Sequence, residues 1–447
     1  MTQRPIVLIH GYSDKGESFR AWVDKLAERG CDRGNIHVCS YETLTNEVTI
    51  PDIAEGFDRA LRERIGLKDD EEFDAIVHST GMLVLRSWLA VYSKRRDRLK
   101  HLIGLAPATF GSPLAHKGRS WFGGVFKGRK ELGPDFLEAG DRVLDALELG
   151  SRFTWDLAEK DLFGELPYYG SHGDTPYVYI FCGTEGYGGI RKLINDPGTD
   201  GTVRRAGCGL NVRKIRVDLT NDKVDNRISF SNWSNIDIPM FPIQGADHGS
   251  IIAQPSEALV DMVHAALGVE DAQAHQNWLQ DAAERTRDIV TELTKWQQFL
   301  IRATDERGDP IRDYYIQLEG KRDDGLHEEL ESFDVDVHTY SGDSSLRNFH
   351  VNLDELDPAS LESLSLTVIA SSGSSLVTYH GFTDVPTADA NVYGDKGTWH
   401  AKLDLSSLLR EGEVKFFYPF TTTLIELRLN REPLPLTGIN YVCRFID

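Results

Sequence analysis

The chain is short of several things, and each shortage removes a class of protein. In 447 residues no apolar run reaches the length of a membrane-crossing helix, which takes roughly 20 residues, so no transmembrane segment is expected. Cysteine is scarce and dispersed: Cys31, Cys39, Cys182, Cys208 and Cys443 are all there are. An odd number without a CxxC pair excludes a full disulfide framework and a cysteine-built metal site. Reduced, mostly buried thiols in a cytoplasmic protein are expected instead. The opening MTQRPIVLIHGY lacks the basic, apolar and cleavage regions of a secretory signal, which also points to the cytoplasm. Positive charge is short as well. The formal net charge is -21, and from residue 268 onward 32 Asp and Glu face only 16 Lys and Arg. Such a surface repels nucleic acid and anionic lipid, so no nucleic-acid partner is expected.

What is present reads as two domains, because 447 residues exceed one ordinary core. In the first part, short apolar strands at 4–12, 36–41, 73–78, 101–107, 177–182 and 238–243 alternate with helical stretches at 19–29, 52–65 and 81–94. That rhythm predicts a mostly parallel sheet covered by helices on both faces. Residues 112–170 interrupt it and read as a cap or lid, with Trp121, Phe122, Val125 and Phe126 as its apolar surface. A connecting helix is expected over 268–300, where Trp278, Ala282, Ile289, Leu293, Trp296 and Leu300 recur at helical spacing. Beyond it, YYIQLEG, FDVDVHTY, SLTVIAS, TWHAKLDL, VKFFYPF and IELRLN alternate apolar and polar residues between turn formers. An antiparallel β-sandwich over 301–447 follows. Within FFYPF, half of the aromatic residues are expected to face its core.

Four short motifs in the first 267 residues carry chemistry, each at the carboxyl end of an expected strand, the edge where open α/β sheets bind ligands. They are His10-Gly11-Tyr12, V-H-S-T-G at 77–81, T-D-G-T-V at 199–203 and A-D-H-G-S at 246–250. A serine hydroxyl needs a base to take its proton. A sharp strand-to-helix turn lifts that hydroxyl out of the sheet. A histidine must reach it, a carboxylate must fix the histidine's tautomer, and backbone amides must hold the developing oxyanion.

In these motifs residues 1–267 resemble the lipase and esterase branch of the α/β-hydrolases. The resemblance rests on the His10-Gly11 loop, the Ser79 elbow, Asp200 and His248, in that family's chain order. It implies a mostly parallel sheet with a cap insertion, Ser79 as nucleophile, His248 as general base and acid, and Asp200 as its orienting carboxylate. It also implies that Tyr12 and Thr80 give the oxyanion-hole amides, supported by His10 and Gly11. Two positions depart from the family: Val77 stands where the elbow usually has glycine, and Met82 follows Gly81 where a second glycine is frequent. Asp196, Glu185 and Asp247 are rivals for the carboxylate role, and Ser79 read alone is also a helix N-cap.

The G-T-E-G-Y-G-G run at 183–189 lacks the lysine of a phosphate loop, and N-D-P-G-T-D-G at 195–201 lacks the distal glutamate of a calcium loop. No cofactor and no metal are expected. The expected activity is hydrolysis of a small-molecule or lipid-like carboxylic ester, of medium to long acyl chain given the apolar cap. A phospholipase, acyltransferase or thioesterase on the same residues is the alternative within hydrolases, and a non-catalytic binding protein the alternative outside them. A serine at the elbow speaks against epoxide hydrolases and dehalogenases, which place aspartate there. The second domain is read as a brace, a homo-oligomer interface or a docking module.

Overall fold

The computed structural model describes residues 4–11, 17–115, 141–166, 168–170, 174–189, 192, 195–231, 238–322, 327–374, 376–383, 398–409, 415–433, 442–443 and 445–446. The chain divides into two compact units, one formed by Met1–Asn211 with Ser234–Leu293, the other by Val212–Trp233 with Thr294–Asp447.

The strands in chain order begin with β1 (Ile6–Ile9), β2 (Ile36–Cys39), β3 (Phe73–His78), β4 (Leu99–Leu105), β5 (Tyr177–Gly183), β6 (Val212–Asp218), β7 (Ile228–Phe230) and β8 (Met240–Ile243). Six of them form the sheet of the first unit, in the order β2-β1-β3-β4-β5-β8, and every neighbouring pair is parallel. Strands β1, β3, β5 and β8 are buried at every position, whereas edge strand β2 is buried only at Ile36. Burial on both faces explains why the inner strands read as unbroken apolar runs. The order reverses between β1 and β3: the chain steps from β1 to one side and returns on the other. The loops leaving these two strands therefore diverge and open a crevice between them. His10-Gly11 and Ser79 leave the sheet at that point.

The helices of this unit are α1 (Arg20–Glu28), α2 (Ile50–Ala60), α3 (Gly81–Ser87), α4 (Asp141–Leu147), α5 (Arg152–Asp161), α6 (Ser250–Ala253), α7 (Glu257–Leu267) and α8 (Ala272–Glu292). Their starts are set locally. Thr49 and Asp52 form a reciprocal capping box on α2, and Ser151, Ser256 and Asp271 accept from the first-turn amides of α5, α7 and α8. Among the described residues no helix is long and apolar enough to cross a membrane. The cap residues Trp121, Phe122, Val125 and Phe126 lie outside the described residues.

The second unit continues with β9 (Trp296–Asp305), β10 (Asp313–Arg322), β11 (His327–Glu329), β12 (Val337–Thr339), β13 (Leu346–Asn352), β14 (Leu361–Ser371), β15 (Val377–His380), β16 (Thr398–Asp404) and β17 (Thr422–Pro433). One sheet runs β11-β10-β14-β16, the other β12-β13-β9-β17-β6-β7 with β15 on β17. Their inner faces share one core, including Phe299, Ile301, Tyr314, Leu318, Leu366, Val368, Leu403 and Leu427, so the unit is a β-sandwich.

Three features depart from the sequence reading. The helix expected over 268–300 ends at Glu292, and Trp296 and Leu300 belong to β9. A spacing of four residues returns to the same face of a strand as well as of a helix, so this pair carried no information about type. The sandwich is not wholly antiparallel: β17 runs parallel to both β9 and β6. The VKFFYPF segment is not a strand. Phe416 is buried, stacking on Phe299 at a centroid distance of 5.1 Å, and Phe417 packs beside it; these rings face inward, as expected for half of that run.

Candidate functional site

Strand β3 passes into α3 through Ser79 and Thr80 alone. Ser79 sits at φ +52°, in the left-handed region, a conformation that costs a residue with a side chain about 1–2 kcal/mol. Backbone bonds hold it there: the Ser79 amide donates to the Leu105 carbonyl, and the Ser79 carbonyl accepts from the Ala108 amide at 3.1 Å. Two glycines are required by close approach. A Cβ at Gly81 would lie 2.6 Å from the Ile9 carbonyl oxygen, and one at Gly11 would lie 2.8 Å from Ser79 Cβ. The departure at 82 is accommodated by a glycine of the neighbouring strand: a Cβ on Gly104 of β4 would meet Met82 Cε at 2.9 Å.

His248 and Asp200 are both fully buried and meet directly: His248 Nδ1–H donates to Asp200 Oδ2 at 2.9 Å. Their backbones meet too, the His248 amide donating to the Asp200 carbonyl at 2.9 Å. The other carboxylate oxygen, Oδ1, accepts from the amides of Thr202 (3.0 Å) and Val203 (2.9 Å). With Nδ1 committed as donor, the second ring nitrogen of His248 is left as the basic one. Of the rivals, Asp247 is occupied elsewhere: its Oδ1 accepts from the amides of Gly249 and Ser250 in its own turn. Gly183 lets the 246–248 loop pass against the end of β5, since a Cβ there would lie 2.2 Å from the Ala246 carbonyl oxygen.

His78, the residue before the serine, ties the elbow to this pair. Its Nε2–H donates to the His248 carbonyl at 3.0 Å, and the two rings lie 4.7 Å apart. Burial, with the neighbouring His248 ring, holds the His78 imidazole well below its usual value, hence neutral. His10 braces the first loop: Nδ1–H donates to the Gly11 carbonyl at 2.6 Å, Nε2 accepts from the Tyr41 amide at 3.2 Å, and the His10 and Tyr41 rings stack at 4.7 Å. Thr80 opens α3. Tyr12 lies outside the described residues. Asp200 and His248 therefore meet directly, Ser79 follows the residue that bonds the His248 carbonyl, and Gly11 lies against Ser79.

Sequence reasoning missed three contributions. One is the tie made by His78, for which the V-H-S-T-G motif was the available signal. The second is a buried anchor behind the elbow. Arg86 of α3 donates from Nε and Nη2 to both oxygens of Asp161 at 2.8 Å and from Nη1 to the Thr109 carbonyl, while the Tyr169 hydroxyl donates to Asp161 at 2.6 Å. Although burial works against its charge, Asp161 and then Tyr169 hold the guanidinium above its ordinary value. The third is a pair of thiols: Cys182 Sγ lies 3.7 Å from Asp200 Oδ2 and 3.5 Å from Cys208 Sγ.

The glycine-rich run at 183–189 packs on the acid-bearing loop. The Tyr187 hydroxyl is 2.7 Å from Thr202 Oγ1, and Asn195 bonds the Tyr187 backbone in both directions. Among the described residues no group of three or more His, Cys, Asp or Glu could hold a metal ion. A cavity of about 520 Å³ lies beside the first loop, between the ends of β1 and β2 and helix α2, with Ile9, Tyr41, Val48, Ile53, Phe57 and Val84 among its lining residues. None of Ser79, Asp200 and His248 lines it.

No protein-family model matches the chain, and no curated protein matches it. Solved structures do. The chain is similar to phospholipase PlaB from Legionella pneumophila, with 22% identity, a TM-score of 0.75, and coverage of 99% of this chain and 97% of that one. The structure of that phospholipase in complex with thio-NAD matches at 21% identity and a TM-score of 0.76, over the same shares of both chains. Identities this low show the fold: an α/β-hydrolase sheet with an additional C-terminal β-sandwich.

Proposed function

We propose that this chain, an α/β-hydrolase by fold, is a lipolytic carboxylic-ester hydrolase that works through an acyl-serine on Ser79. One observation carries the reading. The buried hydrogen bond from His248 Nδ1 to Asp200 Oδ2 belongs to a histidine whose carbonyl is held by the residue preceding a serine at φ +52°. In this reading the second nitrogen of His248 takes the Ser79 proton as Oγ attacks the ester carbonyl, and Asp200 stabilises the imidazolium. The Thr80 amide, with that of Tyr12, holds the oxyanion. The histidine then gives its proton to the leaving alcohol, and water, activated by the same histidine, releases the acid.

Phospholipids are the second reading within the same chemistry. It is favoured by one finding, that the enzyme whose fold covers both units of this chain is a phospholipase. The test is hydrolysis of nitrophenyl esters from acetate to palmitate beside diacyl phospholipids in mixed micelles, wild type against Ser79→Ala. Turnover by wild type with a loss of several orders of magnitude in the variant is expected, and the preferred substrate separates the two readings. Full activity in the variant, or no turnover of any ester by wild type, would overturn the proposal.

A further inference from the structure

Cys182 and Cys208 stand far apart from one another in role and sequence, yet the fold brings them together directly behind the carboxylate of Asp200. Cys182 is the last residue but one of the wholly buried β5, and Cys208 follows a single 3-10 turn, Arg205–Gly207. Both side chains are fully buried. The contacts form a chain. The Cys208 thiol is 3.5 Å from Cys182 Sγ and 3.4 Å from the Arg204 carbonyl, and the Cys182 thiol donates to Asp200 Oδ2 at 3.7 Å. That oxygen is the one that receives His248 Nδ1–H. Asp200 thus accepts four donors, two amides on Oδ1 and an imidazole and a thiol on Oδ2.

We propose that Cys182 and Cys208 are an oxidative modification site, closed to a disulfide by hydroperoxides, and that closure withdraws the thiol donor from Asp200 and lowers turnover. The separation of 3.5 Å must shrink to the roughly 2.0 Å of a disulfide, and closure removes the S–H proton that Cys182 offers the carboxylate. The step balances. One thiolate attacks the peroxide O–O bond, giving a sulfenic acid and water. The second sulfur displaces the sulfenic oxygen, which leaves as a second water. Two thiols and one hydrogen peroxide give one disulfide and two waters; the sulfurs lose two electrons and the peroxide gains them. Burial, together with the contact to Cys208, pushes the Cys182 thiol well above its usual value, so closure is slow and answers sustained rather than brief exposure.

The functional half of this inference rests on the assignment of Asp200 above; the chemical half does not. The experiment treats the folded protein with hydrogen peroxide, blocks remaining thiols, maps linked peptides by mass, and compares ester turnover before and after, with dithiothreitol reversal. Wild type should yield the Cys182–Cys208 linkage with loss of two hydrogens. Its turnover should fall about three- to tenfold, the range set by one lost hydrogen bond, and recover on reduction. In Cys208→Ala, and in Cys208→Ser should the first fold poorly, the ratio of treated to untreated turnover should stay near one. The inference is overturned if no linkage forms at a dose that fully oxidises the exposed Cys443. It is equally overturned if linkage leaves turnover unchanged, or if both Cys208 variants lose activity as wild type does. Linkage without turnover in either state would instead sink the ester-hydrolase reading, so the two failures are distinguishable.

Discussion

At the scale of the residue, the hydrogen bonds around Asp200 and His248 fix how each can act. Asp200 fixes the tautomer of His248, so Asp200→Asn, which offers a donor where the ring needs an acceptor, should lower kcat by about three to four orders of magnitude with little change in KM. Steady-state kinetics on a nitrophenyl ester reads this directly. His275 behaves in the opposite way. It is buried between Tyr177 and Tyr179, with ring centroids at 4.9 and 5.4 Å, and neither of its nitrogens has a hydrogen-bond partner among the described residues. Burial lowers it from 6.5 to about 4. The unfolded chain therefore binds this proton first as pH falls. The stability His275 contributes is present above about 6.5 and is lost as pH drops toward about 4. His275→Leu should leave stability at pH 7 unchanged or raise it by about 1 kcal/mol, and should flatten the decline in Tm between pH 6.5 and 4. A variant as acid-labile as wild type would contradict the account. At this scale the sequence was informative where a motif marks a local geometry, as for the strained turn at Ser79 and the meeting of the Asp200 and His248 loops. It was silent on His275 and on the Cys182–Cys208 contact, because both depend on which element packs behind which.

At the scale of the element, Gly104 shows how a strand can supply what a turn lacks. Adding a methyl there would crowd Met82 Cε, Ile180 Cδ1 and Pro107 Cγ at 2.9–3.1 Å. Gly104→Ala should therefore destabilise the protein by about 1–3 kcal/mol, as overpacking does. Met82→Ala should recover part of that loss, and a double-mutant cycle in urea gives the coupling; strict additivity would mean that the two sites do not compete for space. The elements themselves were largely legible. Inner strands announce themselves as apolar runs because both faces are covered, and α2 announces its start through Thr49 and Asp52. Legibility failed where a pattern fits two periods, as at Trp296 and Leu300, and where pairing direction matters, because alternation along β17 is the same whether its neighbours run parallel or antiparallel.

At the scale of the whole molecule, the second unit is discontinuous in sequence. Strands β6 and β7 come from Val212–Trp233, and β6 pairs with β17 over seven residues, from Val212↔Thr422 to Asp218↔Arg428. Glu426 of β17 receives Lys214 Nζ at 3.1 Å and Arg216 Nε at 3.0 Å. A fragment beginning at Thr294 would expose that edge and the core around Ile425 and Leu427, a template for self-association. Such a fragment is expected to aggregate or to be mostly dimeric or larger by light scattering, and one carrying residues 212–231 through a flexible linker to be monomeric and more stable. Equal behaviour of the two would show that β6 and β7 are dispensable. A boundary drawn from composition near residue 300 missed this, since a lone pair of strands embedded in an α/β pattern looks like more of the same.

The position of β17 also sets a timetable. Among the described residues it is the last strand along the chain, yet it lies inside its sheet, between β9 and β6. During synthesis the hairpin of β6 and β7 is made early and then waits for a partner almost two hundred residues downstream. At ribosomal speeds of about 5–20 residues per second that interval is roughly 10–40 s. Through it the nascent chain carries an unpaired strand edge. A ribosome that stalls before Thr422 leaves the sheet in two halves, each with an open edge that invites the wrong partner.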